Sequence, residues 1–198
     1  MKRLALGLSA SLLFLCAGVA HATVITYSAT LSGPKEDPAN TSPGTGQATV
    51  RIDDVSNMMT VMVNFSGLSA PTTASHIHCC TLVPLTGKAG VATALPTFPA
   101  FPLGVTSGSY TETFDLLQLS TYNAGFVSGN GGTLASARQA FLAGLANGQA
   151  YLNIHTSAFP AGEIRGFLTQ VPEPGSVALF GLGVAGLAVL RRRRAAAH

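Results

Sequence analysis

The run MTVMVNF (residues 59–65) places apolar side chains at every second position. Met59, Val61, Val63 and Phe65 fall on one side of an extended chain, and Thr60, Met62 and Asn64 fall on the other. A period of two is that of a β-strand with one buried face, since successive side chains of a strand point to opposite faces. The run therefore predicts a half-buried strand.

Six further segments predict strands and are separated by clusters of Gly, Pro, Asn and Ser, which favour turns. They are VITYSATL (24–31), GQATVRI (46–52), ASHIHCC (74–80), GSYTETFDL (108–116), AYLNIHT (150–156) and EIRGFLTQ (163–170). Seven short strands in one domain predict an all-β fold, either an antiparallel β-sandwich or a Greek-key barrel.

Two segments depart from this pattern. The run TLASARQAFLAGLANGQ (133–149) has apolar residues at helical spacing, with Thr133 as a predicted N-cap and Asn147-Gly148 as a predicted end. It predicts one short amphipathic helix. The run ALPTFPAFPLGVTSG (94–108) carries prolines that a central strand would not tolerate, so it predicts an exposed loop.

Charge is sparse and unevenly placed along the 198 residues. Only 10% of residues are charged and 47% are hydrophobic, a balance that suits an exported domain with a packed core. Six of the eleven basic residues lie at the chain ends. Residues 23–174 hold five basic against eight acidic residues, a net charge of −3. The domain therefore lacks the basic surplus typical of nucleic-acid binding.

The N-terminal residues 1–22 have the organisation of a secretory signal peptide. A basic start is followed by an apolar segment, which we expect to be helical, and by Ala20-His21-Ala22, which fits a cleavage site. We expect the exported chain to begin at Thr23 and to enter an oxidising compartment.

The C-terminal residues 171–198 combine three parts in a fixed order. Pro172, Glu173 and Pro174 precede an uncharged predicted transmembrane helix (176–190), which a basic end follows, formed by Arg191, Arg192, Arg193 and Arg194. Fifteen helical residues span about 22 Å, somewhat short for a permanent anchor. The arginines would remain on the cytoplasmic side.

This tail resembles the PEP-CTERM sorting signal of Gram-negative bacteria. The resemblance implies an inner-membrane-anchored precursor, cleavage near the motif by an exosortase, and release to the cell surface or an exopolysaccharide matrix. A permanent membrane anchor is the alternative.

Three stretches resemble the CHRD domain, the module named after chordin. They are LSGPKEDP (31–38), ASHIHCC and GQAYLNIHTSAFPAGEIRGFL (148–168). Family members typically have Gly after the His-x-His motif, where this chain has Cys79. Over residues 23–170 the resemblance implies an extracellular β domain, with no established biochemical activity for bacterial members.

Three histidines are candidate metal ligands. His76 and His78 share one strand face about 7 Å apart, and the same parity places His155 with Tyr151 and Asn153. If the two strands are neighbours, three imidazoles converge in a set suited to Zn²⁺ or Cu²⁺. The alternative is a polar layer in which the histidines bond to the backbone.

Cys79 and Cys80 are the cysteines that remain after the signal peptide, which carries Cys16, is removed. A disulfide of the usual geometry is disfavoured between adjacent residues. A vicinal disulfide, thiolate ligation of Zn²⁺ or copper beside His78, and an intermolecular bridge stay open.

Glu163 and Arg165 share a face by the same parity, which predicts a structural ion pair, with Glu36 as a second partner for Arg165. The chain has no G-x-S-x-G, phosphate-loop or HExxH motif, and no nucleophile is paired with a base. We therefore expect a noncatalytic module that acts in adhesion or matrix organisation, with exopolysaccharide or a surface protein as partner. The alternative is an extracytoplasmic metal-binding protein.

Overall fold

The computed structural model describes residues 24–172 and Gly183. The regular structure of this region consists of eight strands, two α-helices and two single 3₁₀ turns. The strands are β1 (Val24–Ser32), β2 (Thr45–Asp53), β3 (Met58–Ser66), β4 (Thr72–His78), β5 (Gly108–Asp115), β6 (Tyr151–Thr156), β7 (Ile164–Phe167) and β8 (Thr169–Gln170). The helices are α1 (Ala124–Gly129) and α2 (Leu134–Ala146), and the 3₁₀ turns are Gly33–Lys35 and Leu119–Thr121.

The strands form one antiparallel sheet in the order β4-β6-β7-β1-β2-β3-β5, with β8 added beside β1. This confirms the predicted all-β class. Within this class, the sheet is one continuous, partly closed sheet that curls into a half-barrel. Curling lets a single sheet enclose a core with one of its own faces.

The alternation in residues 59–65 is that of a strand with one buried face, as predicted. Met59, Val61, Val63 and Phe65 are buried in the core, and the intervening residues are half-buried or exposed. Strand β3 lies between β2 and β5 in continuous register. The same face of β2 contributes Ala48, Val50 and Ile52 to the core.

The predicted helix is α2, and its start is capped as the sequence indicates. The Thr133 hydroxyl accepts from the Ser136 amide, and the Ser136 hydroxyl accepts from the Thr133 amide. Such a capping box is worth about 1 kcal/mol. Helix α2 buries Phe141 and Leu145 in the same core as the sheet. The six-residue helix α1, whose Phe126 packs 6.5 Å from Phe141 between ring centroids, was not predicted.

The proline-rich segment 94–108 is a loop, as predicted, but the prediction of an exposed loop is wrong for two of its aromatic residues. Phe98 is fully buried and lies 5.8 Å from Tyr110 between ring centroids, while Phe101 stacks on Phe65. Burial of a phenylalanine contributes about 1.5–3 kcal/mol. These two rings therefore hold the loop against the sheet.

The predicted single strand 163–170 is divided into two short strands, β7 and β8, by an interruption at Leu168. Strand β7 pairs with β6, whereas β8 pairs with β1. The predicted signal helix lies outside the described residues, as does the predicted C-terminal transmembrane helix apart from Gly183. Within the described part of the chain, no helix has the length and apolar character needed to cross a membrane.

Candidate metal centre

Antiparallel pairing of β4 with β6 brings the three candidate histidines to one face of the sheet. His76 lies opposite Asn153, His78 opposite Tyr151, and His155 opposite Ala74. His155 is therefore the diagonal neighbour of His76. On the other face, Ile77, Leu152 and Ile154 are fully buried in the core. The predicted parity of both strands is confirmed.

The three imidazoles converge at close range. Ring centroids are 5.9 Å apart for His76 and His78, 5.2 Å for His76 and His155, and 6.0 Å for His78 and His155. One ring nitrogen from each residue lies within 4.8 Å of the other two. Bonds of about 2.0–2.1 Å to a tetrahedral ion require nitrogens roughly 3.4 Å apart. The nitrogens would therefore have to come closer together to share one ion.

Each histidine uses its other ring nitrogen for a hydrogen bond to a backbone carbonyl. His76 Nε2 lies 2.6 Å from Pro96 O, His78 Nδ1 lies 2.9 Å from Ala89 O, and His155 Nδ1 lies 2.9 Å from Pro160 O. A carbonyl only accepts, so each of these nitrogens carries the proton. The second nitrogen of each ring then presents a lone pair.

Those three lone-pair nitrogens have no partner. Within residues 24–172, five buried side-chain nitrogen and oxygen atoms make no hydrogen bond, and three of them are His76 Nδ1, His78 Nε2 and His155 Nε2. Buried polar atoms are normally satisfied, so three orphans in one cluster require an explanation. A cation coordinated by all three supplies one.

Burial favours the neutral form of the cluster. Desolvation lowers the pKa of His78 to about 4, and it also lowers the pKa of His76 and of His155. Hydrogen bonds to the carbonyls oppose this effect but are outweighed. Neutral imidazole is the form that binds a metal ion.

Residues 89–98 run along the outer edge of β4 and position two of the three rings. The amides of Ala92 and Phe98 donate to Ile77 O and Ser75 O, which ties this segment to the strand. The carbonyls of Ala89 and Pro96 point at the histidines. Hydrogen bonds of this kind orient metal-ligating histidines in proteins generally.

The ring of Tyr151 packs against the imidazole of His78. Its ring stacks on the imidazole at 4.8 Å between centroids, with 6° between the planes. Its hydroxyl lies 3.3 Å from both the amide and the carbonyl of Ala89. The phenol and His78 thus hold the same peptide, which limits the freedom of the imidazole.

Cys79 and Cys80 do not join the histidines as ligands. The two form a vicinal disulfide with each other, one of the three alternatives, so neither sulfur is a thiolate. Strand β4 ends at His78, and the disulfide lies against Gly144 of α2, away from the strand. A Cβ at Gly144 would collide with both sulfurs, so only glycine allows this contact.

The predicted ion pair of Glu163 with Arg165 is wrong, because the segment after β1 brings Glu36 to Arg165 instead. Arg165 Nε lies 3.8 Å from Glu36 Oε2, which makes the second predicted partner the actual one. Glu163 lies just before β7, fully buried. Its carboxylate accepts from Ser42 Oγ, Ser69 N and Thr156 Oγ1. Burial alone would raise the pKa of Glu163, but these hydrogen bonds lower it below its ordinary value.

A polar row crosses the sheet beside the histidines. His76, Asn153, Arg165 and Ser32 face one another in turn across β4, β6, β7 and β1. The amide of Asn153 donates to both carboxylate oxygens of Glu36 at 3.2 and 3.3 Å. Asn153 shares the predicted parity, but its bond to Glu36 joins residues 117 positions apart, which no local pattern indicates.

The sorting residues Glu173, Pro174 and Arg191 to Arg194 lie outside the described region, and Pro172 is its last residue before the gap. Residues 170–194 match the model of the PEP-CTERM protein-sorting motif. This motif implies an exported, membrane-anchored precursor that an exosortase-type enzyme processes and routes to the cell surface.

No curated protein and no solved structure matches the chain. Residues 27–168, which contain all three histidines, match the model of the CHRD domain. Since that match covers well over half of the sequence, the chain belongs to the CHRD-domain family.

Proposed function

We propose that this exported CHRD domain binds one divalent transition-metal ion through His76, His78 and His155. The observation that carries the proposal is a cluster of three imidazoles that offer ring nitrogens within 4.8 Å of one another. In each imidazole one nitrogen is bonded to a carbonyl and the other is buried without a partner. A purely structural polar layer would not leave all three lone pairs without a donor.

Zn²⁺ and Cu²⁺ are the ions that suit three neutral imidazoles. Cu²⁺ should bind more tightly, in accordance with the general order of divalent affinities. With three protein ligands, a fourth position is left for water or another small ligand.

The test is metal content and thermal stability of the protein expressed from its full-length gene and purified in mild detergent. After chelation and reloading with Zn²⁺ or Cu²⁺, we expect about one ion per chain and a raised melting temperature. The double variant His76→Ala/His155→Ala should bind only trace metal, because one imidazole remains.

Tyr151→Phe is the matched control, since it keeps all three ligands and the stacked ring while it removes a neighbouring polar group. It should bind metal with unchanged stoichiometry. Equal trace metal in the wild-type protein and the double variant would overturn the proposal. So would full loading of a double variant that circular dichroism shows to be folded.

A second candidate function, for which the sorting motif is the specific support, is adhesion or matrix organisation at the cell surface. A protein routed by a PEP-CTERM signal reaches the cell surface. We propose a noncatalytic role there, with exopolysaccharide as the first partner to test. The measurement is co-fractionation of the processed protein with the host's extracellular polysaccharide, with the Arg191–Arg194 to alanine variant as a sorting control. Release of the protein into the medium free of polysaccharide would contradict this role.

A further inference from the structure

A second polar site lies on the same sheet face as the histidines, on the far side of Tyr151. It is an open cleft of about 700 Å³ with a floor of sheet residues and two loop walls. The floor is made by Ser28 and Thr30 of β1 and by Arg165, Phe167 and Thr169 of β7 and β8. One wall is segment 35–37 and the other is segment 85–87.

The floor is accessible because of how β1 meets its neighbours. Strand β1 pairs with β7 at one residue and with β8 at two. Register places Ser32 opposite Arg165 and Ser28 opposite Thr169, so Ser28, Thr30 and Ser32 share the Arg165 face. The β1 side of the floor therefore carries small hydroxyl side chains. These leave room above the strand and offer both hydrogen-bond donors and acceptors.

Arg165 is held in place before any ligand arrives. It is only 4% exposed, its Nε donates to Lys35 O and its Nη1 donates to Gly87 O at 2.9 Å. Its guanidinium lies over the rings of Tyr151 and Phe167, at 4.7 and 5.6 Å from their centroids. Because both loop walls accept from this one side chain, Arg165 also sets the width of the cleft.

The cleft is lined by charged groups of both signs. Lys35 and Arg165 are positive and Asp37 is acidic, while the Glu36 carboxyl has a pKa raised to about 7 by burial. Lys35 Nζ already donates to Thr30 O at 2.7 Å, and Glu36 lies beside Arg165. A strongly anionic or cationic ligand would meet a like charge on one of the walls. The lining instead suits a neutral molecule with many hydroxyl groups.

From this geometry we infer that the cleft is a binding site for a neutral saccharide unit of a polysaccharide. The hydrogen-bond donors and acceptors of the walls and floor can pair with sugar hydroxyls, and the half-buried Phe167 adds an apolar side chain to the lining. This inference rests on the proposed matrix role, for which it names the site and the ligand class, and it is independent of the metal proposal.

The test is native affinity electrophoresis of the full-length protein in mild detergent. The gels contain dextran or galactomannan as neutral probes, or alginate as an acidic probe. We expect retardation in at least one neutral gel, with little change on addition of 0.5 M salt, roughly the range in which exposed charges are screened. Thr86→Trp should abolish the retardation, since it places a bulky ring at an exposed position of the cleft wall.

Thr111→Trp is the matched control, because Thr111 is an exposed threonine on β5, outside the cleft. This variant should be retarded like the wild-type protein. Absence of retardation in both neutral gels, retardation in alginate alone, or retardation that survives in Thr86→Trp would each overturn the inference. If these results occur while the processed protein still co-fractionates with host polysaccharide, the matrix role stands and only the assigned site fails. Failure of co-fractionation rejects the matrix role itself.

Discussion

The imidazoles of His76 and His155 lie 5.2 Å apart, centroid to centroid, although they belong to strands from opposite halves of the sequence. The contact arises because β4 and β6 pair directly at the end of the sheet. Neither ring can leave the cluster without breaking a hydrogen bond to a loop carbonyl, Pro96 O or Pro160 O. The fold therefore holds these two imidazoles close together.

Copper loading should report the number of histidine ligands directly. In Cu²⁺-loaded wild-type protein we expect electron paramagnetic resonance to show coupling to three nitrogens. His155→Ala should show two, and its affinity should fall by more than about 100-fold, since even loss of an outer hydrogen bond at such sites costs about 10–100-fold. An unchanged nitrogen count in a folded His155→Ala variant would exclude His155 as a ligand.

Acidification should destabilise the metal-free protein through His78. Its folded pKa is about 4, below the ordinary value of 6.5, so the unfolded chain takes up a proton first as the pH falls. The contribution of His78 to the free energy of unfolding is therefore fully present above about pH 6.5. It is lost between there and pH 4, by an amount on the order of 3 kcal/mol. Chemical denaturation across this range, with chelator present, measures how steeply the free energy of unfolding changes with pH.

The His78→Asn variant isolates this contribution. Asparagine can still donate to Ala89 O but does not titrate, so the variant should lose less stability on acidification than the wild-type protein. The comparison is needed because Glu36 acts in the opposite sense. Burial raises its folded pKa to about 7, so its contribution is lost as the pH rises from 4.5 through 7. Equal slopes in the two proteins would contradict the prediction.

Glu163→Gln should destabilise the fold by about 1–3 kcal/mol. The carboxylate is fully buried and accepts three hydrogen bonds, one of them from the amide of Ser69, which can only donate. A glutamine amide nitrogen cannot accept, so part of this network is lost. Glu112→Gln is the control, because Glu112 is half-exposed on β5 and its change should stay within about 0.5 kcal/mol. Equal urea midpoints for the two variants would argue against this role of Glu163.

Gly144→Ala should destabilise the protein by about 1–3 kcal/mol although alanine favours helix. Its new methyl group would collide with the sulfurs of Cys79 and Cys80, both of which lie against α2. Gly129→Ala in α1 is the control, since no atom lies within 4 Å of the added carbon, and it should be neutral or stabilising. Thermal melts of the two variants should move in opposite directions or differ by several degrees.

Much of the fold could be predicted from local patterns. Alternation in residues such as Val61 and Val63 indicated strands, and Thr133 with Asn147 marked the ends of α2. These predictions succeed because strand parity and helix capping depend on residues within a few positions of one another. The burial of Phe98 could not be predicted in this way, since its neighbours in space are Tyr110 and Phe114 on β5.

The candidate site could likewise be predicted only in part. Sequence parity placed His76 and His78 on one face and His155 with Tyr151, but it could not show that the two strands are neighbours. The partner of Arg165 depended on the path of the segment after β1, which carries Glu36 over the sheet. The three carbonyls that orient the imidazoles belong to loops, where no periodicity indicates direction.

By itself, the amino-acid sequence determined the strand faces, the capped helix and the family, because each is encoded in residues close together along the chain or in a contiguous motif. Only the tertiary structure decided which faces meet. Sheet order and loop path bring His155 to His76, Glu36 to Arg165 and Cys80 to Gly144. These contacts follow from the closure of one curled sheet around a shared core, a property of the whole chain that no short segment carries.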